Sequence, residues 1–218
     1  MTAPVTLMVI AKSPRPGRVK TRLCPPCTHD QAAELARAAL ADTLDVLAAV
    51  PARRHVLALD GPPGSWLPKT FDVVPQSGDG LAARLASAFA ATSGPAFLVG
   101  MDTPQLDTPT VTTAVAQLME PDVDAVLGPA LDGGWWGIGF RRSDPRAFEG
   151  VTMSTDKTHD LQCRRLRWLG LRTRALEPMR DVDDFDDALS VAAVAPHTRF
   201  AQAVAAVASR FEARAGRR

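Results

Sequence analysis

The chain has 218 residues, 46% of them hydrophobic, with 25 Lys and Arg against 24 Asp and Glu for a formal net charge of +1. A chain this long and apolar buries a core without a disulfide or metal staple, and its composition excludes a disordered chain. The near-neutral balance also argues against a coat for nucleic acid or anionic membrane.

Val5 to Ala11 is a short, apolar, partly β-branched run, the pattern of a strand buried on both faces. It is too short to span a membrane, and no basic residue precedes it as in a signal peptide. A polar loop punctuated by Pro and Gly runs from Lys12 to about Thr28. Asp30 to about Val50 reads as a helix, with Leu35, Leu40, Leu44 and Leu47 on roughly one face. Strands are predicted at His55 to Asp60, Phe71 to Val74, Ala96 to Gly100 and Ala125 to Gly128. Helices are predicted between them at Leu81 to Ala91 and Thr110 to Met119. The later segments are less regular: a strand at Trp135 to Phe140, a helix at Asp156 to Leu169 capped by Ser154 or Thr155, and a strand at Leu171 to Leu176. Asp184 to Val194 and Thr198 to Arg214 read as terminal helices. This alternation predicts an α/β fold with right-handed βαβ units and a mostly parallel sheet. Ligands of such sheets bind beyond the carboxyl ends of the strands. One domain over 1–218 is expected, with 196–218 a C-terminal helical extension.

The loop after the first strand therefore matters most. Lys12, Arg15, Arg18, Lys20 and Arg22 place five basic groups in eleven positions with no acid. Gly17 permits close backbone approach. Such a loop suits a di- or triphosphate, each charge-assisted hydrogen bond to phosphate being worth roughly 1.5–3 kcal/mol. It is not a Walker A loop, because Gly-x-x-x-x-Gly-Lys-Ser/Thr is absent. Gln76-Ser77-Gly78-Asp79-Gly80 precedes a helix. Its glycines would let backbone amides approach a base or ribose, although Asp79 taken alone reads as a helix cap. Asp102 comes directly after a buried strand, where its natural partner is a divalent cation; the competing reading is a cap for the next helix. Asp132-Gly133-Gly134-Trp135-Trp136 lies after the next strand, with one Trp expected to line a pocket and the other to enter the core. Asp181-Val182-Asp183-Asp184-Phe185-Asp186-Asp187 packs five acids into seven positions. Asp181 or Asp183 could serve a metal, and the later acids suit a helix N-terminus.

Ala11-Lys12-Ser13-Pro14-Arg15-Pro16-Gly17-Arg18-Val19-Lys20-Thr21-Arg22-Leu23 closely resembles the N-terminal signature of small bacterial GT-A-like transferases, the rSAM/selenodomain-associated or arsenosugar-biosynthesis-type glycosyltransferases. The resemblance continues, in the family's order, through Gly100-Met101-Asp102-Thr103-Pro104, Leu127-Gly128-Pro129, Asp132-Gly133-Gly134 and Asp181-Val182-Asp183. It implies a GT-A, or nucleotide-diphospho-sugar transferase, fold. It further implies that Ala11, Lys12, Arg15, Gly17, Arg18, Lys20 and Arg22 hold nucleotide phosphates, with Gln76 and Gly80 near the nucleoside. Asp102 and Asp183 would meet Mg²⁺ or Mn²⁺. Asp132, Gly133, Gly134 and Trp135 would line the acceptor side. The sequence departs from the pattern in placing Trp135 and Trp136 where Tyr is usual. It also has Asp183-Asp184-Phe185 in place of Asp-Thr-Pro, and it lacks the Asp-x-Asp of many glycosyltransferases at Asp102.

Three functions are weighed. The first is a metal-dependent glycosyltransferase using a nucleotide-sugar donor, with Lys20 and Arg22 neutralising charge and Asp132 the candidate base. The second is a nucleotidyltransferase in which a phosphorylated acceptor attacks an NTP and releases pyrophosphate. The third is a non-catalytic nucleotide binder. The partners expected are a nucleotide and a small-molecule acceptor, with no nucleic acid and no membrane span. Three cysteines favour a reducing, cytoplasmic setting. Cys24 and Cys27, in a single Cys-x-x-Cys beside His29, read as loop cysteines over zinc ligands or a redox pair. Phe200, Ala203, Val204, Val207, Ala208 and Phe211 form a helical stripe that suits core packing, with a homodimer seam as the alternative.

Overall fold

The computed structural model describes residues 5–215; of the 196–218 extension, its last three residues lie outside that range. Seven strands form one sheet: β1 (Thr6–Lys12), β2 (Arg54–Asp60), β3 (Phe71–Pro75), β4 (Ala96–Val99), β5 (Ala125–Pro129), β6 (Trp135–Phe140) and β7 (Thr173–Ala175). Their order is β3-β2-β1-β4-β6-β5-β7. β6 runs antiparallel to both its neighbours, β4 and β5, and the other pairings are parallel. Six helices accompany the sheet: α1 (His29–Ala49), α2 (Gly80–Ala90), α3 (Thr108–Leu118), α4 (Thr158–Trp168), α5 (Phe185–Val194) and α6 (Arg199–Ala215). The predicted α/β fold with a mostly parallel sheet is the observed one.

The apolar runs explain the layering. Leu7 and Val9 of β1 join one cluster with Leu40 and Leu44 of α1, while Met8 joins the opposite cluster with Leu85 and Phe89 of α2. Alternate residues of one buried strand thus feed two cores. A third cluster lies outside the sheet, where α1, α5 and α6 meet. Phe200, Val204 and Val207 of the α6 stripe are buried there, and Phe211 meets Phe185 edge-on at 5.6 Å. Three of the six stripe residues are therefore buried within the chain, with Ala203, Ala208 and Phe211 half-buried. Asp42 of α1 secures the junction by accepting hydrogen bonds from the Phe200 and Arg199 backbone amides at 2.8 and 3.2 Å, capping α6 across space.

Candidate active site

A cleft of about 660 Å³ opens beyond the carboxyl ends of the parallel strands, where the chain leaves β1 and β4. Its first wall is the loop after β1. Val19 and Leu23 are buried and anchor that loop, so the residues between them face outward into the cleft. Lys12, Arg18, Lys20 and Arg22 all line it, as does Ala11 at the strand's end. Lys20 adopts a left-handed backbone conformation (φ 48°), a position sparsely populated by residues other than glycine. From there its ammonium donates to the Val182 carbonyl and pairs with Asp102 Oδ1 at 2.6 Å. Arg22 donates to the Asp183 carboxylate. Arg15 and Gly17 do not line the cleft. They form a tight turn in which the Arg18 amide donates to the Arg15 carbonyl at 3.0 Å and Gly17 takes φ 72°, and both residues are exposed to solvent.

The second wall begins at β3 and α2. Gln76 and Gly80 reach the cleft, but the Gln76 side chain is already engaged. Its amide nitrogen donates to the Ala11 and Ala58 carbonyls at 2.8 and 3.0 Å, joining the ends of β1 and β2. Arg84, one turn into α2, donates to Asp60 at 2.8 Å and to the Gln76 amide oxygen at 3.4 Å. Gln76 is thus a brace at the end of the cleft where a nucleoside was expected. Asp79 stands at the N-terminus of α2 without a side-chain capping bond, contrary to the cap reading.

The third wall carries the acids. Asp102 does not cap α3; Asp107 does, accepting from the Thr110 amide at 2.8 Å. Asp184 caps α5, accepting from the Asp187 amide at 2.9 Å. That frees Asp181 and Asp183 for the cleft, which both line. They arrive there because the chain after β7 runs on alongside the ends of β5 and then β4: the Leu131 amide donates to the Met179 carbonyl, and the Val182 amide to the Asp102 carbonyl, each at 2.9 Å. Burial, and after it the neighbouring Asp132 carboxylate, pushes the Asp181 carboxyl up to about 6. Asp132 Oδ1 accepts from the Gly134 amide at 2.7 Å. Asp132, Gly134 and Trp135 line the cleft. Gly133 does not. At φ 88° it packs so closely on Asp156 that a Cβ would collide with that backbone, so its part is to hold the acid turn against the loop before α4. Trp136 enters the core, 2% exposed, as expected of its opposite face.

Sequence reasoning missed three contributors: Arg84, the hydroxyls of Ser154, Thr155 and Thr158, and Met153 beside them, all of which line the cleft. The Gly80-to-Arg84 spacing of one helical turn is the signal that could have found the first. The expected cap for α4 is also different: Lys157 occupies the N-cap, and the Thr155 hydroxyl accepts from the Lys157 amide at 3.3 Å.

The carboxylates of Asp102, Asp181 and Asp183 are hard oxygen donors of the kind that fit Mg²⁺ or Mn²⁺. Among the described residues no three His, Cys, Asp or Glu groups are gathered closely enough to hold a metal unaided. Cys24 and Cys27 are free thiols, and burial, with a smaller push from neighbouring Cys24, raises Cys27 to about 11.

Fold and cleft define a class: the nucleotide-diphospho-sugar transferase fold. A crystal structure from Desulfovibrio desulfuricans G20, provisionally named a nucleotide-diphospho-sugar transferase, matches with a TM-score of 0.77 at 28% identity over 87% of each chain. CMP:2-keto-3-deoxy-manno-octonic acid synthetase complexed with CTP matches with a TM-score of 0.56 at 11% identity, over 88% of this chain and 98% of that one. Rv0371c of Mycobacterium tuberculosis H37Rv in complex with manganese matches with a TM-score of 0.51 at 22% identity, again over 88% and 98%. No curated protein sequence matches. The family model described as an uncharacterized protein conserved in bacteria, DUF2064, matches residues 32–155, and the chain belongs to that family. No described helix is long and apolar enough to cross a membrane.

Proposed function

We propose that the protein is a metal-dependent glycosyltransferase that takes a nucleotide-sugar donor into this cleft. The observation that carries the reading is the pairing of Lys20 with Asp102 and Arg22 with Asp183 across one opening. Cations suited to phosphate and carboxylates suited to a metal face each other there. With donor bound, Lys20 and Arg22 exchange their carboxylates for the diphosphate, joined by Lys12 and Arg18. Asp102 and Asp183, with Asp181 lining the same cleft, would hold Mg²⁺ or Mn²⁺, which would supply charge neutralisation at the phosphates.

In the transfer, the bond between the anomeric carbon and the diphosphate oxygen breaks and a bond to an acceptor hydroxyl oxygen forms. Negative charge grows on the departing nucleoside diphosphate, where Lys20 and Arg22 stabilise it. Asp132 is the group that can take the acceptor proton, since it lines the cleft with Gly134 and Trp135, the stretch assigned to the acceptor. Isothermal titration with nucleotide sugars in the presence and absence of Mn²⁺, with a subsequent assay of nucleoside diphosphate release, tests the reading. Metal-dependent binding and diphosphate release are expected; pyrophosphate release from an NTP with no diphosphate release would overturn it. That second outcome belongs to the nucleotidyl-transfer alternative, which likeness to the CTP-bound synthetase favours.

A further inference from the structure

The charge on the cleft is divided by wall. Every cation among the described lining residues comes from β1 and its loop or from α2. Of these, Arg84 is held by Asp60, Lys20 by Asp102 and Arg22 by Asp183. The remaining lining, from Ala130 to Trp135 and from Met153 to Thr158, carries no cation of its own; the ammonium that reaches the neighbouring acids is that of Lys20, which acts on Asp181 while paired with Asp102. Lys157 lies in that second stretch of sequence but is exposed and off the lining. What this lining does offer is Asp132, with Asp181 beside it, the indole of Trp135, the thioether of Met153 and the hydroxyls of Ser154 and Thr155. Ser154 is held exposed in a left-handed conformation (φ 61°), which glycine would adopt without strain. Thr158 is buried and fixes this segment, its hydroxyl donating to the Thr152 carbonyl at 3.1 Å and accepting from the Thr155 amide at 3.0 Å.

We infer that the acceptor is a hydroxyl-bearing molecule that is neutral or cationic, and carries neither phosphate nor carboxylate. The inference rests on the proposed donor site, because it assigns the lining without cations of its own to the second substrate. An anionic acceptor there would be desolvated against two carboxylates, and the one ammonium beside them, that of Lys20, is already taken by Asp102 or by the donor diphosphate. A polyol, sugar or amino alcohol meets instead the hydroxyl and carboxylate acceptors it can donate to, and an indole face its C–H groups can pack on.

The test uses the full chain with Mn²⁺ and saturating nucleoside diphosphate, so that the basic loop is occupied. Binding of glycerol 3-phosphate and of inorganic phosphate is then measured by equilibrium dialysis, for the protein and for Thr155→Lys and Ser154→Lys. The parent protein is expected to show no saturable uptake of either anion, and at least one lysine variant at least a tenfold gain. Nucleoside diphosphate release from the donor should rise at least tenfold with a neutral polyol or amino alcohol over its phosphorylated counterpart. Saturable anion binding by the parent, or preference for the phosphorylated acceptor, overturns the inference while leaving the donor site standing. Failure of the diphosphate to bind in the first step overturns the donor-site reading, and the inference with it.

Discussion

The two ends of the β5–β7 pair treat carboxylates in opposite ways. At the amino end, Asp124 precedes β5 and faces Arg172, which precedes β7. Its carboxylate accepts from the Arg172 guanidinium at 2.8 and 3.0 Å and from the Arg172 amide at 3.0 Å. Those hydrogen bonds pull Asp124 down to about 2. At the carboxyl end of the same strands, Asp132 and Asp181 share the neighbourhood of Asp102, whose direct partner is Lys20. There burial and like charge push Asp181 up to about 6. One end closes its charge balance internally and fastens two strands. The other gathers more carboxylates than its Lys20 can neutralise.

Removing the reactive end's carboxylates should have the largest consequence. Asp102→Asn is expected to lower kcat/KM for donor turnover by roughly 100-fold or more and to weaken its metal dependence; full activity with unchanged Mn²⁺ dependence would break the model. Next, Lys20→Ala and Arg22→Ala should cut nucleotide affinity about tenfold or more through lost phosphate contacts. The same variants should bind Mn²⁺ more tightly than the parent when nucleotide is absent, because the carboxylates lose their internal cations. Calorimetry with metal alone and with nucleotide separates these two effects.

The stability effects are smaller and opposite in sign at the two ends. A carboxyl raised in the folded state costs stability as pH climbs from about 4 through about 6, when it is forced to ionise in place. Asp181→Asn should therefore raise Tm at pH 7–8 by roughly 2–4 °C, with the curves meeting near pH 4. A carboxyl lowered in the folded state contributes stability above about 4 that is lost as pH falls toward 2. Asp124→Asn should lower Tm at neutral pH by a smaller amount, since the pair is partly exposed and screened. That deficit should shrink in acid, and thermal melts across pH 2.5–8 measure both variants together.

Much of this cleft was legible because the strands are short apolar runs, and the residues just past each run must sit at the ligand-binding edge. Lys12, Lys20, Arg22, Asp102 and Asp132 are found that way. Direction along the loop was not legible: Arg15 carries the same charge as Arg18, but the turn at Gly17 keeps it off the lining. The polarity of β6 depends on the five-residue link from Ala130 to Gly134, which is too short for a parallel crossover. The bracing by Gln76 and Arg84, and the hydroxyls before α4, depend on contacts between segments far apart in sequence, and no local pattern reports those.

Gly128 leaves a hollow in β5 that the Trp136 indole fills so tightly that a Cβ there would strike the ring. The indole nitrogen in turn donates to the Glu177 carbonyl at 3.0 Å, and Glu177 begins the segment that carries Asp181 and Asp183 to the cleft. The two positions are therefore coupled in space. A side chain at 128 fits only beside a smaller group at 136, and a ring there that cannot donate gives up this tether on the acidic segment, so a change deep in the sheet reaches the cleft wall through a single indole.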